Sequence, residues 1–201
     1  MIESLLIEKS YFSNKNDEHN LADIIKSINL SRKTNLDIAQ MVQTHSNNIE
    51  NVNTKGMFIS DGIITSKENI SLVVRTADCM PVLIKSENSI AALHVGWRGI
   101  ENKIFQLAIQ KLGRESLKVS IGPHAQSCCY EVQKDVGELF SNNIIEKNNK
   151  LYLNLANDIR NYCRLNNIEI EVSTICTICS KDFWSYRENK TKERQYSLIW
   201  I

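Results

Sequence analysis

The sequence predicts an α/β protein in which mixed sheets and helices pack as a sandwich. Short apolar runs typical of strands interleave with helix-like apolar stripes along the 201 residues. Two of these runs, 81–84 and 90–95, have the polar, turn-like Lys85-Ser86-Glu87-Asn88 between them and therefore predict a hairpin. Hairpins pair strands antiparallel, so a mixed sheet fits better than a purely parallel one. We expect one domain over residues 1–201.

Apolar spacing defines the elements of the first half of the chain. Four residues with helical spacing, Leu21, Ile24, Ile25 and Ile28, predict a helix over 21–28. Strands are predicted over 5–9, 36–42, 63–64, 72–74, 81–84 and 90–95. The pair Asp61-Gly62 indicates a turn before one of these strands.

One amphipathic helix of about three turns is predicted after Gly99, because apolar residues recur at helical spacing over 100–112 and Gly113 follows. Its start would lie beside Arg98, where free backbone N–H groups and the helix dipole favour an anion. The remaining predictions are strands over 117–121, 151–153 and 196–201, helices over 132–140 and 156–165, and an extended segment over 168–178.

Charge and composition narrow the class of partner. The 24 basic and 23 acidic residues give a net charge of +1 and are interspersed, so neither a nucleic-acid footprint nor a membrane-binding patch is predicted. No segment approaches the length of a membrane span, and Glu3 and Glu8 stand where a signal peptide would be basic and then apolar. We therefore expect a cytoplasmic monomer that binds small molecules.

The six cysteines are expected to be free thiols in a reducing compartment. Cys163 falls on a helical apolar stripe and is predicted to be a core residue. Cys176 and Cys179 have the spacing of half a zinc ribbon, but no second pair follows them along the chain. The spacing alone therefore favours a pair that binds no metal.

Three short segments carry the residues of a candidate metal site. His45 follows a predicted strand, Cys79 precedes the first arm of the predicted hairpin, and His94 closes its second arm. The start of one antiparallel strand lies beside the end of the next, so Cys79 and His94 should be neighbours. Two imidazoles and a thiolate would leave tetrahedral zinc one open position, the pattern of a catalytic site.

The residues alone leave other interpretations open. The same trio matches the ligands of a blue-copper centre, with Met80 as a weak axial ligand. Without a metal, Cys79 and His94 would form a nucleophile and base, with Asp78 as the residue that orients the histidine. Taken singly, any of these side chains is more often an ordinary core or loop residue.

Further candidate residues lie outside these three segments or next to them. Arg98 and Arg187 are the best anion partners in the sequence, because a guanidinium binds phosphate through two parallel hydrogen bonds. His124 follows the turn residues Gly122 and Pro123 and is a candidate for substrate binding or a simple turn residue.

These segments together resemble the YfiH-type family, whose members are called multicopper polyphenol oxidases, laccase-domain proteins and purine nucleoside phosphorylases. The resemblance covers roughly residues 36–200 in order. It rests on Gln43-Thr44-His45-Ser46, Asp61-Gly62, Thr76-Ala77-Asp78-Cys79-Met80-Pro81-Val82, His94-Val95-Gly96-Trp97-Arg98-Gly99, Ile121-Gly122-Pro123, Cys129-Tyr130-Glu131-Val132 and Phe183-Trp184-Ser185-Tyr186-Arg187.

The resemblance implies a YfiH-like fold shared with cysteine hydrolase-type proteins, and a zinc ion held by His45, Cys79 and His94. It implies phosphorolysis of adenosine, inosine or methylthioadenosine, with adenosine deamination as a second reaction. The alternatives are a copper-dependent polyphenol oxidase and a non-catalytic, metal-stabilised binding protein. The chain departs from the family pattern at His124, where a cysteine is common, and over 11–20, where a longer segment is usual.

Overall fold

A computed structural model describes residues 1–17 and 20–201; Glu18 and His19 lie outside the described residues, within the shortened segment 11–20. The described helices are α1 Leu21–Arg32, α2 Trp97–Glu101, α3 Ile104–Leu112, α4 Lys134–Leu139, α5 Asn157–Leu165 and α6 Tyr186–Asn189. The strands are β1 Ile2–Glu3, β2 Ser10–Phe12, β3 Asp37–Met41, β4 Ile49–Asn51, β5 Gly56–Phe58, β6 Gly62–Thr65, β7 Ile70–Thr76, β8 Met80–Lys85, β9 Ile90–Val95, β10 Lys118–Ile121, β11 Glu131–Val132, β12 Ile144–Lys147, β13 Lys150–Leu153, β14 Glu169–Val172 and β15 Gln195–Ile199.

The described strands form two six-stranded sheets and one of three strands. The first large sheet has the order β1-β2-β15-β7-β3-β5, and the second has the order β14-β10-β8-β9-β6-β4. Both sheets mix parallel and antiparallel pairs. In the first, β3 runs parallel to β7 and β15 runs antiparallel to it. In the second, β14 runs parallel to β10 and β8 runs antiparallel to it. The predicted mixed-sheet α/β sandwich is confirmed.

Three apolar clusters define the layers. Leu72 and Val74 of the first large sheet pack with Leu83 and Ala92 of the second, which places one core between the two sheets. Helix α1 covers the outer face of the first sheet through its predicted apolar stripe. Helices α3 and α5 contribute to the largest cluster, against the outer face of the second sheet. The layers are therefore helix, sheet, sheet and helices.

The single helix predicted over 100–112 is wrong. The chain forms α2 and α3 instead, separated at Lys103, whose backbone adopts the left-handed conformation (φ 59°). Gly99 allows the two helices to approach, since a Cβ there would lie 3.3 Å from Ile104 Cγ2. The apolar spacing continues across the break because both helices pack on the same sheet.

Other predicted boundaries also differ. Residues 5–9 form bends and a turn between β1 and β2. Ile7 of this run is buried in the core between the sheets and Leu6 packs against that core, whereas Leu5 is exposed. Val132 belongs to β11, so the helix predicted over 132–140 begins at Lys134. Only Glu169–Val172 of the extended segment pairs as a strand. None of the helices in the described ranges has the length and apolarity needed to cross a membrane.

The predicted hairpin is confirmed and sets the position of the site. In the pairing of β8 with β9, Pro81 lies opposite His94 and Met80 lies opposite Val95. Cys79, just before β8, is therefore held beside His94 and Gly96. The end of β3, in the other large sheet, delivers residues 43–46 to the same edge.

Candidate metal centre and cavity

The structure brings together His45, Cys79 and His94. The Nε2 atom of His45 lies 4.0 Å from the Sγ atom of Cys79. The two imidazole rings meet edge to face, with centroids 4.8 Å apart. One ligand atom from each of the three residues lies within 4.8 Å of the others. A single ion placed among these atoms would be reached by all three.

Unusual backbone conformations direct two of these side chains, those of His45 and Cys79, toward the site. His45 has φ 61° and Asp78, immediately before Cys79, has φ 93°. Residues other than glycine rarely adopt such angles, and they persist where the surrounding structure enforces them. Gly96 completes the approach, because a Cβ at this position would lie 3.1 Å from the Cys79 sulfur.

Asp61 is a site residue that the sequence interpretation missed, because the Asp-Gly pair indicated only a turn. Its carboxylate is fully buried and accepts a 2.8 Å hydrogen bond from His94 Nδ1. It also accepts hydrogen bonds from the backbone N–H groups of Thr44, His45 and Ser46 and from both hydroxyls of that segment. One carboxylate thus fixes both the His45 loop and the His94 ring.

The hydrogen bond that His94 donates to Asp61 also shows which ring nitrogen of His94 carries the proton. A carboxylate only accepts, so Nδ1 carries the proton and the Nε2 lone pair remains for a metal. Burial opposes charge on Asp61, but the bonds from His94 and Ser46 outweigh it and lower the Asp61 pKa. Orientation of a histidine ligand by a carboxylate is a recurrent feature of metal sites.

Without a metal, Cys79 and His94 form a thiolate–imidazolium pair. Burial opposes the charge on both groups. For Cys79 the bonds from His45 and His94 outweigh burial and lower its pKa to about 6. For His94 the bonds to Asp61 and Cys79 outweigh burial and raise its pKa to about 9. The cysteine is therefore deprotonated at neutral pH, as a metal ligand must be.

A cavity of about 560 Å³ opens beside the trio. Four arginines, Arg75, Arg98, Arg187 and Arg194, line it together with one carboxylate residue, Asp78. Arg98 stacks on the ring of Trp97 at 4.5 Å, and Arg187 stacks on that of Tyr130 at 4.8 Å. The cavity therefore combines cationic groups with aromatic faces, a lining suited to a phosphate and a planar base.

Arg75 is a cavity residue that the sequence did not point to, and Thr76, the first residue of a quoted motif, was given no role. Arg75 Nε and Thr76 Oγ1 are buried and make no hydrogen bond with any part of the chain that the structure describes. Gln43 holds the Arg75 backbone on both sides, donating to its carbonyl at 2.7 Å and accepting from its amide at 2.9 Å. The position of Arg75 inside a strand, β7, gave no sequence signal.

Asp78 does not orient His94, contrary to the nucleophile–base interpretation; Asp61 does. The Asp78 carboxylate accepts hydrogen bonds from the Thr177 hydroxyl at 2.9 Å and from the Arg187 backbone N–H at 2.7 Å. The residue therefore ties the turn at Thr177 and the start of α6 to the Cys79 loop.

Two other predicted residues lie away from the trio. Met80 is fully buried in the largest apolar cluster and does not line the cavity, so the structure does not present it as an axial ligand. His124 is also buried outside the cavity lining, and its Nδ1 donates to the Gly122 carbonyl at 2.8 Å. The structure therefore brings Arg98 and Arg187 to the site, but not His124.

The donor set fits a thiophilic, imidazole-binding ion such as zinc or copper. Three protein ligands that face a cavity leave room for a further ligand, as in catalytic metal sites. Fold and site together thus define a class: a mixed α/β sandwich with a two-histidine, one-cysteine centre beside a cationic cavity.

Comparison with known proteins assigns the family. The family described as multi-copper polyphenol oxidoreductase laccase matches residues 12–201, and the chain belongs to it. An Aquifex aeolicus protein named purine nucleoside phosphorylase is 37% identical over 145 residues, 70% of each chain. A Clostridium acetobutylicum protein named as a purine nucleoside phosphorylase is 37% identical over 180 residues, 81% of this chain and 76% of the relative.

Solved structures agree on the fold. The Bacillus licheniformis hypothetical protein YfiH superposes with a TM-score of 0.83 at 24% identity, covering 98% of this chain and 95% of that one. A Neisseria meningitidis protein superposes with a TM-score of 0.82 at 21% identity, covering 99% and 97%. The predicted resemblance to the YfiH-type family and its fold is confirmed.

Proposed function

We propose that this chain is a zinc-dependent purine nucleoside phosphorylase that acts in the cytoplasm on adenosine, inosine or methylthioadenosine. The observation that carries the proposal is the cavity, where four arginines and three aromatic rings surround the metal-binding trio. The names of the Aquifex and Clostridium relatives support a nucleoside and phosphate as substrates.

The reaction sets what the cavity residues must do. A phosphate oxygen forms a bond to the ribose C1′ while the C1′–N bond to the purine breaks. The bonding electron pair leaves with the base, which takes up one proton and departs as the free purine beside ribose 1-phosphate. The site must therefore hold an anion next to C1′ and supply a hydrogen-bond donor to the departing base.

Arg98 and Arg187 are the proposed phosphate partners. Each guanidinium stacks on an aromatic ring of the cavity, which limits its freedom and directs its N–H groups. Arg75 also lines the cavity and adds a third guanidinium to its cationic wall. Holding the phosphate with fixed donors reduces the reorganisation that the reaction requires.

Tyr130 is the proposed donor to the departing base. Burial, and next the charge of Cys79, raises the pKa of Tyr130 to about 12, so its hydroxyl keeps its proton at neutral pH. His45, Cys79 and His94 would hold zinc, which when bound supplies a Lewis acid with an open position.

The test is to incubate zinc-loaded protein with each nucleoside, with and without phosphate, and to measure free base and sugar 1-phosphate. The sugar product is ribose 1-phosphate from adenosine or inosine and its 5-methylthio derivative from methylthioadenosine. Phosphate-dependent release of both products supports the proposal, and release of base without phosphate, or none from fully loaded protein, contradicts it. Arg98→Ala should raise the KM for phosphate by roughly 10–100-fold, the loss of a charge-assisted hydrogen bond. Ammonia release from adenosine tests the accompanying deamination in the same samples.

The family description favours a second candidate, a copper-dependent polyphenol oxidase. A multicopper cluster needs many imidazoles, however, and the whole sequence has four histidines. Among the histidines that the structure describes, His45 and His94 are the two that lie at the site. Oxygen uptake with phenols by copper-loaded protein would favour the oxidase, and its absence together with phosphorolysis would favour our proposal.

The Asp61–His94–Cys79 chain of contacts favours a third candidate, a cysteine hydrolase. A hydrolase of this type needs no second histidine on the sulfur, yet His45 lies 4.0 Å from Cys79. Activity that survives metal removal and is lost on alkylation of Cys79 would support hydrolysis. Loss of activity when the metal is removed, and its return when zinc is added, would support the phosphorylase.

A further inference from the structure

A second group of metal-binding side chains lies outside the cavity. The Sγ atoms of Cys128, Cys129, Cys176 and Cys179 all lie within 4.8 Å of one another. Those of Cys128 and Cys179 are 4.0 Å apart, although the residues are 51 positions apart in the sequence. All four are free thiols. The fold therefore supplies the second cysteine pair that the Cys176–Cys179 spacing lacked.

Two turns of the backbone create this group. The first turn is closed by hydrogen bonds from the Cys129 and Tyr130 N–H groups to the Gln126 carbonyl, at 3.0 and 2.8 Å. The second turn holds Cys176 and Cys179. A bridge between His124 and Cys176 joins the two turns, with Thr177 N–H donating to the His124 carbonyl at 3.1 Å. The positions of the sulfurs are thus set by backbone contacts.

The sulfur spacing suits a tetrahedral ion. With zinc–sulfur bonds of about 2.3 Å, the sulfurs of a tetrahedral site are about 3.8 Å apart. The observed 4.0 Å between Cys128 and Cys179 is close to this value. The Gln126 N–H also points to the Cys176 sulfur at 3.5 Å, a contact that favours a thiolate.

Apolar packing does not account for the group. Cys128 and Cys179 are exposed, so burial of their side chains contributes little to stability. The core cysteine Cys163, in contrast, is fully buried. Four thiols that meet at the surface without forming a disulfide match the ligand set of closed structural zinc sites. Four protein ligands would leave no position for a substrate.

We propose that Cys128, Cys129, Cys176 and Cys179 bind a second zinc ion in a closed tetrathiolate site. The proposal does not depend on the proposed function. On binding, the four thiol protons pass to solvent, and the ion links the two turns directly.

The proposed ion would brace one wall of the cavity. Thr177, next to Cys176, donates to the Asp78 carboxylate, and Ala125 N–H donates to the Asp78 carbonyl at 2.9 Å. Tyr130, next to Cys129, lines the cavity. Removal of this zinc should therefore loosen the turns that position Tyr130 and Asp78 without touching His45 or His94.

Metal analysis of protein purified without chelator under anaerobic conditions tests the proposal. Cys79→Ala removes a ligand of the cavity site only, so this variant should retain one equivalent of zinc per chain. With cobalt in place of zinc, it should show intense thiolate charge-transfer absorption. Cys176→Ser combined with Cys179→Ser should lose one equivalent relative to wild type, and the matched control Cys163→Ala should lose none.

A folded Cys79→Ala protein without bound zinc would overturn the proposal, as would wild-type protein with no zinc at all. A Cys128–Cys179 disulfide in the anaerobic protein, or bound iron with sulfide, would also overturn it. Because Cys79→Ala leaves all four proposed ligands intact, the test remains decisive even if the double serine variant does not fold.

Discussion

Replacing Asp61 with asparagine removes one charge from the centre of the site while keeping the size of the side chain. The Asp61 carboxylate accepts from six donors: Oδ2 accepts from the N–H and hydroxyl groups of Thr44 and Ser46, and Oδ1 accepts from His45 N–H and His94 Nδ1. An amide has one oxygen, so at least one of these two sets loses its acceptor. The less costly arrangement keeps the oxygen toward Thr44 and Ser46.

In that arrangement the amide nitrogen faces His45 N–H and His94 Nδ1. His94 must then move its proton to Nε2, the nitrogen that would bind a metal, and the partly buried His45 N–H loses its partner. Loss of this bond lowers the free energy of unfolding by about 1 kcal/mol. Loss of a ligand-orienting carboxylate weakens metal binding by roughly 10–100-fold.

Zinc affinity by chelator competition and urea unfolding measure these two effects. The matched control is Asp37→Asn, where an exposed carboxylate paired with Lys55 is replaced and neither quantity should change by more than about 0.5 kcal/mol. Unchanged zinc affinity in folded Asp61→Asn would refute the assignment of Asp61 as the residue that orients His94.

Three further predictions concern packing and titration. Gly122→Ala should lower stability in urea by about 1–3 kcal/mol, because its Cβ would lie 2.2 Å from the Phe12 ring; an unchanged midpoint would contradict the packing. In metal-free protein, the rate of Cys79 alkylation should fall as the pH is lowered, with a midpoint near pH 6, because the thiolate becomes protonated. A midpoint near pH 9 would exclude the ion pair. Burial lowers the pKa of His124 to about 4, so protonation favours unfolding below pH 6.5, and stability should drop by about 2 kcal/mol from pH 7 to 5. His124→Gln should remove that part of the slope, and an unaltered slope would show that His124 does not cause it.

Local patterns predicted the parts of the fold that depend on neighbours in sequence. The hairpin of β8 and β9 followed from two apolar runs and a polar turn, and its pairing placed Cys79 near His94. Helix α1 followed from a regular apolar stripe that is buried as expected. The break at Lys103 did not follow, because the same periodicity suits one helix or two helices on one sheet.

The missed site residues depend on distant partners. Asp61 looked like a turn residue, and its role arises from donors on the segment Thr44 to Ser46 and on His94. Arg75 lies within a strand, where only the packed structure shows that its Nε is buried without a hydrogen-bond partner among the described residues. Cys128 and Cys179 meet because a bridge between His124 and Cys176 joins their turns. Spacing along the chain carries none of this information.

The most direct test of the central claim is the product ratio formed from adenosine by zinc-loaded wild-type protein. We expect free base, counted as adenine plus any hypoxanthine formed through deamination, and ribose 1-phosphate in equal amounts, no free base when phosphate is omitted, and loss of both products in Cys79→Ala. Adenine release without phosphate, or unchanged turnover in Cys79→Ala, would contradict the assignment of His45, Cys79 and His94 as the metal centre of a phosphorylase.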